Sequence, residues 1–108
     1  MKDNTLLKIA KDFGSPVYVY DADTIVTQYK RLTKAFGKVK KLKLNYAVKA
    51  LSNISILKLF NTLGSGIDTV SIQEVQLGLK AGFKPESIIY TPNGVSLEEI
   101  EKVAKLGV

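Results

Sequence analysis

The most regular feature of this sequence is an alternation between short apolar runs and segments whose apolar residues recur every three or four positions. The short runs have the character of strands and occupy residues 42–49, 66–71 and 88–91. The helical segments that follow them occupy approximately residues 53–63, 72–79 and 97–104. Because the predicted strands end at Lys49, Ser71 and Thr91, the repeat is 20 to 22 residues long. Strands and helices that alternate at this spacing predict an α/β protein with parallel strands joined by right-handed crossovers.

The N-terminal third of the chain does not share this repeat. It begins with an amphipathic segment that predicts a helix, and the run Val17-Tyr18-Val19-Tyr20 then predicts a strand, since all four residues favour β-structure. A second helix should follow, with Asp21 or Asp23 as its N-cap. The sequence therefore divides into a helix–strand–helix region, residues 1–37, and a region of three βα units, residues 38–108.

Lys49 is the first candidate for chemistry because of its position. Leu42, Leu44, Tyr46 and Val48 alternate along the first predicted strand of the repeat, which places Lys49 on the opposite face. Parallel α/β folds carry their active sites at the carboxyl ends of the strands. A partly desolvated lysine at such a position can form a Schiff base with an aldehyde such as pyridoxal phosphate. The alternative is a lysine at a strand end whose ammonium reaches solvent or a nearby carboxylate.

Composition removes several other classes of function. The formal charge of +6 comes from fifteen lysines and one arginine, without the arginine and interleaved aromatic pattern of nucleic-acid interfaces, so no nucleic-acid partner is expected. The sequence has no cysteine or histidine, so we predict no disulfide, imidazole base or metal site. No apolar run approaches the length of a signal peptide or membrane span. We therefore expect a cytoplasmic protein with no membrane partner.

Four stretches of the sequence match, in order, motifs of one enzyme family. They are Phe13–Asp21 (FGSPVYVYD), Tyr46–Ala50 (YAVKA) with Ser52-Asn53, Gly66–Ser71 (GIDTVS) with Glu74, and Tyr90–Gly94 (YTPNG). Together they resemble the pyridoxal-phosphate (PLP)-dependent decarboxylases that share an alanine-racemase-type barrel. Within that family, the residues of these motifs are most similar to those of the members that act on diaminopimelate. The match covers nearly the whole chain.

The resemblance implies a fold. Residues 38–108 would form the first three βα units of a PLP-binding (β/α)8 TIM-type barrel, and the helix and strand that precede them would belong to the family's β-domain. Proteins of the family are several times longer, so we expect this chain to be an amino-terminal portion without the rest of the barrel. Three βα units leave strand edges open, and we therefore expect a homo-oligomer, in the family a homodimer.

The resemblance also implies a site. Lys49 would be the catalytic lysine that carries PLP, with Asp68, Ser71 and Glu74 in the polar shell around the cofactor. Each of the last three has a structural alternative. Asp68 would be a buried carboxylate satisfied by backbone groups or by Lys43. Ser71 would cap the helix that follows it, and Glu74 would be favoured in the first turn of that helix by the helix dipole.

The implied reaction is the decarboxylation of meso-diaminopimelate to L-lysine, a step of lysine biosynthesis, with PLP as cofactor and a small amino acid as substrate. Ornithine, arginine and carboxynorspermidine are alternative substrates within the family. A non-catalytic α/β binding module is the alternative outside it. The groups that bind the phosphate, the pyridine ring and the substrate are expected later in the family's chain, so we expect these 108 residues to be inactive alone.

Overall fold

The structure is a computed structural model and describes residues 2–108. Its regular elements are α1 (Asp3–Phe13), α2 (Ala22–Ala35), β1 (Asn45–Ala47), α3 (Ile54–Thr62), β2 (Gly66–Thr69), α4 (Ile72–Lys80), β3 (Ile88–Tyr90) and α5 (Leu97–Lys105). Single turns of 3₁₀-helix follow β1, at Val48–Ala50, and precede β3, at Pro85–Ser87. Of the helices in this part of the chain, none is long and apolar enough to span a membrane. The predicted α/β class is confirmed.

The three strands form one parallel sheet in the order β1-β2-β3. Asn45 pairs with Gly66 and Ile67 pairs with Ile88, so the register advances by 21 residues at each step. This offset agrees with the repeat length predicted from the sequence. Because each strand is one repeat further along the chain, equivalent positions of the three units lie side by side in the sheet.

The core lies between one face of the sheet and helices α3, α4 and α5. Its buried members are Val48, Leu57, Ile67, Val75, Ala81, Phe83, Ile88 and Val103. Ile67, on the central strand, is completely buried, and each of the three helices contributes at least one buried side chain to this cluster. Adjacent strand residues point to opposite faces, so Asp68 lies on the sheet face that the helices do not cover.

The first strand of the repeat is shorter than the sequence predicts, and the predicted extent of 42–49 is wrong. Only Asn45–Ala47 pair with β2, whereas Leu42 is 39% exposed. The chain leaves the sheet at Val48, where the N–H of Leu51 donates to the Val48 carbonyl and closes a turn. Lys49 therefore lies in this turn and not in a strand.

The strand predicted at Val17-Tyr18-Val19-Tyr20 is also wrong. The structure has no regular element there, and the four side chains are between 36% and 89% exposed. β-forming residues make a strand only when a neighbouring strand accepts their backbone hydrogen bonds. No strand of residues 2–108 lies alongside this segment in the sheet.

The N-terminal helices contribute little to the core, since no residue from 2 to 43 is buried. Of the two predicted caps for α2, it is Asp21 that accepts a hydrogen bond from the Thr24 N–H, at 3.2 Å. Helix α2 is joined to the βα units through an aromatic row. Tyr29 meets the edge of Phe60, and Phe60 stacks on Tyr46 with ring centroids 4.1 Å apart. Burial raises the pKa of Tyr46, with a smaller contribution from nearby Tyr20.

The close approach at Gly66 leads to the first testable prediction. A Cβ at this position would overlap the Asn45 side-chain oxygen and lie 2.9 Å from the Ser87 carbonyl oxygen. Gly66→Ala should therefore lower the free energy of unfolding by about 1–3 kcal/mol, measured by urea denaturation. Asn45→Ala in the same chain should recover part of the loss, because it removes one of the two obstacles. If Gly66→Ala unfolds at the wild-type urea concentration, the packing described here is wrong.

Candidate functional site

The parallel register brings three polar side chains to the carboxyl ends of neighbouring strands. Ala47 of β1 pairs with Asp68 of β2, and Asp68 pairs with Ile89 of β3. Lys49 follows Ala47 by two residues, in a turn that packs against β2, and Thr91 follows Ile89 by two residues. The predicted strand ends at Lys49 and Thr91 therefore lie at the same rim of the sheet, and Asp68 lies on the strand between β1 and β3.

Asp68 is half-buried and is bound by the strand next to it. The Thr91 hydroxyl donates to Asp68 Oδ1 at 2.7 Å, and the Thr91 N–H donates to the Thr69 carbonyl at 2.8 Å. The sequence alternative, in which Lys43 satisfies this carboxylate, is wrong. The Lys43 ammonium instead donates to the Glu86 carbonyl at 2.8 Å. Within residues 2–108, Oδ2 of Asp68 receives no hydrogen bond.

Lys49 has an exposed side chain that makes no hydrogen bond or salt bridge within the described chain. Its amine is therefore accessible to a small molecule and is not committed to a carboxylate. Among residues 2–108 the ion pair observed is Lys102–Glu98, on the surface of α5. The role of Lys49 as the cofactor lysine stays a prediction.

Ser71 and Glu74 bind backbone groups at the start of α4. The Ser71 hydroxyl oxygen accepts from the Glu74 N–H at 3.3 Å, and Glu74 Oε2 accepts from the Val70 N–H at 2.8 Å. The first bond satisfies one of the N–H groups that a helix N-terminus leaves unpaired, and the second binds the residue before the N-cap to the first turn of α4. The cap predicted for Ser71 is thus observed, and Glu74 lies in the first turn of α4 as its structural alternative stated. A place for either residue in a cofactor shell stays a prediction.

Glu99 has a role that the sequence did not reveal. The pattern Ser96-x-x-Glu99 predicts a reciprocal capping box, and Ser96 does accept from the Glu99 N–H at 3.2 Å. The Glu99 carboxylate, however, turns to the sheet. Its Oε1 accepts from the Tyr90 hydroxyl at 2.8 Å and from the Ile72 N–H at 3.2 Å. Glu99 therefore ties α5 to β3 and to the first residue of α4.

Tyr90 shows the electrostatic effect of this contact. Burial, together with the hydrogen bond to Glu99 and its negative charge, raises the pKa of Tyr90 to about 12. One feature of the sequence indicated that Tyr90 would have a hydrogen-bond partner such as Glu99. Tyr90 lies in β3 on the same side as Ile88, and that face of the sheet is the one the helices cover, so its hydroxyl needs a partner from a helix.

The side chains at this rim can be compared with the groups that would bind the aldehyde and the phosphate of PLP. Lys49 offers a free amine, and Asp68 offers a carboxylate oxygen without a donor on the sheet face opposite the helices. Helix N-termini commonly bind phosphate through unpaired N–H groups, and in each βα unit a cap side chain occupies one or two of these groups. Asn53 accepts from the Ser55 and Ile56 N–H groups, Ser71 from the Glu74 N–H and Ser96 from the Glu99 N–H. These residues thus fit the aldehyde end of PLP and leave its phosphate to other groups. No cluster of metal-ligating side chains occurs in the described residues.

Comparison with known proteins defines the class of this protein. The family model described as the pyridoxal-binding domain of pyridoxal-dependent decarboxylases matches residues 22–108. This match covers well over half of the chain, and the chain belongs to that family. The resemblance stated from the four sequence motifs is confirmed, and PLP is the cofactor of the domain.

Individual relatives point to one branch of the family. A diaminopimelate decarboxylase from Helicobacter pylori is 44% identical over 101 residues, which is 94% of this chain and 25% of the relative. A crystal structure of diaminopimelate decarboxylase from the same species, complexed with L-lysine, superposes with a TM-score of 0.86 at 41% identity. It matches 95% of this chain and 26% of that one. The chain therefore spans about a quarter of the length of these relatives.

A third comparison shows the fold alone. Lysine/ornithine decarboxylase from Vibrio vulnificus, complexed with putrescine, has the same TM-score of 0.86 at 24% identity, with 96% of this chain and 28% of that chain covered. Because two enzymes with different substrate names superpose equally well, the backbone of this region does not distinguish substrates.

The Glu99 contact leads to a second prediction. Glu99→Gln removes the negative charge that opposes ionisation of Tyr90, so the pKa of Tyr90 should fall from about 12 towards the usual 10.0 of tyrosine. Absorbance near the tyrosinate band, recorded against pH and compared with Tyr90→Phe to isolate this residue, measures the change. Glu98→Gln is the matched control, since Glu98 pairs with Lys102 on the surface. An equal shift in both variants would contradict the assigned contact.

The same contact has a consequence for stability at alkaline pH. The pKa of Tyr90 is higher in the folded chain than in the unfolded one, so the neutral phenol contributes stability that is complete below pH 10 and is lost as the pH rises towards 12. Tyr90→Phe should flatten this alkaline decline in the free energy of unfolding. Urea titrations at several pH values between these limits measure it.

Proposed function

We propose that this chain is the part of a PLP-dependent amino-acid decarboxylase that carries the cofactor lysine, and that Lys49 is that residue. One observation supports the proposal above the others. In a chain of this family, the exposed and unpaired amine of Lys49 lies immediately after β1, beside the strand that carries Asp68. A lysine in that position is open to an aldehyde and has a carboxylate on the neighbouring strand.

The proposed roles of the residues follow from their chemistry. When bound, PLP supplies an aldehyde for the covalent link and a ring that accepts the electron pair left when the substrate's α-carboxylate departs as carbon dioxide. The Lys49 amine must be neutral to react. Asp68 offers a negative charge that orients this amine, while Ser71 and Glu74 hold the first turn of α4 at the edge of the cofactor site.

The proposed substrate is meso-diaminopimelate, with L-lysine as product. Its support is the 44% identity with an enzyme of that name over nearly the whole chain. Ornithine, arginine and carboxynorspermidine remain the alternatives within the family. Residues 2–108 bring one covalent anchor and little of the charge needed to hold a phosphate or a substrate, so we propose that the chain has negligible activity by itself.

The proposed architecture of the parent protein is the (β/α)8 barrel. Residues 38–108 would be its first three units, and residues 1–37 would form the separate N-terminal region. Strands β1 and β3 are the two edges of the described sheet. An apolar cleft of about 250 Å³ lies between β1 and α2, lined by residues that include Leu32, Ala47 and Phe60. Such a cleft beside an unpaired edge is suited to a further strand.

A third prediction tests the role of Lys49. Incubation of the purified chain with PLP, followed by borohydride reduction and peptide mapping, should place the phosphopyridoxyl group chiefly on Lys49. Lys49→Arg should abolish this selective labelling. Lys43→Arg is the matched control, because Lys43 lies close by in sequence but donates to the Glu86 carbonyl. The same samples should release no measurable carbon dioxide from meso-diaminopimelate.

Two outcomes would count against the proposal. Labelling spread evenly over the fifteen lysines would favour a non-catalytic α/β module. Labelling that persists in Lys49→Arg at the wild-type level would show that another lysine reacts.

A fourth prediction concerns self-association. The open edges of the sheet and the exposed apolar side chains of the N-terminal region should drive the chain to form oligomers at tens of micromolar, measured by light scattering. Ile89→Lys places a charge on edge strand β3, where the native side chain is 41% exposed, and should reduce the oligomer. Leu97→Lys, on α5 at a position 70% exposed, is the control and should leave association unchanged. A monodisperse wild-type monomer would contradict the proposal.

A further inference from the structure

The hydrogen bond between Thr91 and Asp68 is the feature of the site that neither the sequence motifs nor the proposed function uses. The Thr91 hydroxyl lies 2.7 Å from Asp68 Oδ1 and 3.4 Å from the Thr69 carbonyl. The shorter distance is that of a strong bond from a hydroxyl to a carboxylate, and the longer one is at the limit for a hydrogen bond. The hydroxyl is therefore directed at the carboxylate.

Thr91 is itself held by backbone contacts, so it can define the position of a neighbour. Its N–H extends the ladder between β2 and β3 by donating to the Thr69 carbonyl at 2.8 Å. The preceding residue, Tyr90, is bound through its hydroxyl to Glu99 at 2.8 Å. The backbone that carries this hydroxyl is therefore fixed on both counts.

The bond leaves the two carboxylate oxygens of Asp68 in different environments. Oδ1 is bound by Thr91, whereas Oδ2 has no donor within residues 2–108. Without Thr91 the carboxylate would be free to rotate about its side-chain torsions. With it, Oδ1 is held on the β3 side, and Oδ2 keeps no donor among residues 2–108.

We propose that Thr91 is a positioning residue that orients the Asp68 carboxylate towards the amine of Lys49. The inference rests on the proposed function, because it assigns Thr91 an effect on the reaction of Lys49 with PLP. Thr91 acts through Asp68 and does not itself contact the reacting atoms. A purely structural role would stabilise the end of β3 without changing how fast Lys49 reacts.

The first test measures the time course of PLP attachment to Lys49, by borohydride trapping and peptide mapping of the chain. Thr91→Val keeps the shape of the side chain and removes the donor. It should slow attachment at Lys49 by about threefold to tenfold, a size typical of the net contribution of one intramolecular hydrogen bond, with other lysines labelled as before. Thr91→Ser restores the hydroxyl and should restore the rate. Thr62→Val is the matched control, since the Thr62 hydroxyl binds only the Leu59 carbonyl.

A second test needs no cofactor. Urea unfolding of Thr91→Val, Asp68→Asn and the double variant forms a double-mutant cycle. Each single substitution should increase the unfolding equilibrium constant by some factor. If the bond is present, the factor for the double variant should be smaller than the product of the two single factors by about threefold to tenfold. Strict additivity would show that the two side chains do not interact and would overturn the proposal.

The outcomes distinguish a failure of the proposed function from a failure of the role proposed for Thr91. If the wild-type chain is not labelled selectively at Lys49, the proposed function fails, and the role of Thr91 fails with it. If wild-type labelling is selective and Thr91→Val reacts at the wild-type rate, only the positioning role is overturned. If Thr91→Ser is as slow as Thr91→Val, the hydroxyl is not the active group, which also overturns it.

Discussion

The whole arrangement depends on the central strand, β2, being held in parallel register between its two neighbours. Its four residues alternate between two environments. Ile67 points into the core beneath the helices and is completely buried, while Asp68 points to the uncovered face. Burial of Ile67 therefore fixes which way Asp68 faces, since a slip of one residue would exchange the two. The hydrophobic core on one side of the sheet therefore sets which side chains lie on the other side.

Three carboxylates near the ends of β2 and β3 differ in the groups that they bind. Glu74 and Glu99 accept hydrogen bonds from backbone N–H groups around the start of α4, and so stabilise the turn that follows β2. Among residues 2–108, Asp68 accepts only from the Thr91 hydroxyl, and its other oxygen has no donor. A carboxylate whose oxygens bind the backbone is committed to the fold. One that keeps an oxygen without a donor is not committed in this way.

The N-terminal region contrasts with the βα units. Residues 2–43 contribute no buried side chain, and the aromatic row Tyr29–Phe60–Tyr46 is a principal contact of α2 with the sheet and α3. The segment Val17–Tyr20 keeps apolar side chains in solvent although its composition favours a strand. The relatives are about four times as long as this chain.

Local sequence determined the features that depend on local forces. Apolar periodicity placed α3, α4 and α5 within a residue or two, because a helix closes its hydrogen bonds within its own segment. The apolar pattern also predicted a strand offset close to the observed 21 residues, because consecutive βα units contain nearly the same number of residues. Tertiary structure decided what depends on partners distant in the chain. The strand at 17–20 is missing because no strand lies beside it, and Glu99 leaves its predicted capping box because Tyr90 and the Ile72 N–H lie within reach. Lys49 lies in a turn because β2 pairs with only three residues of β1. The length and the pairing of a strand depend on its neighbour and cannot be predicted from the sequence of that strand alone.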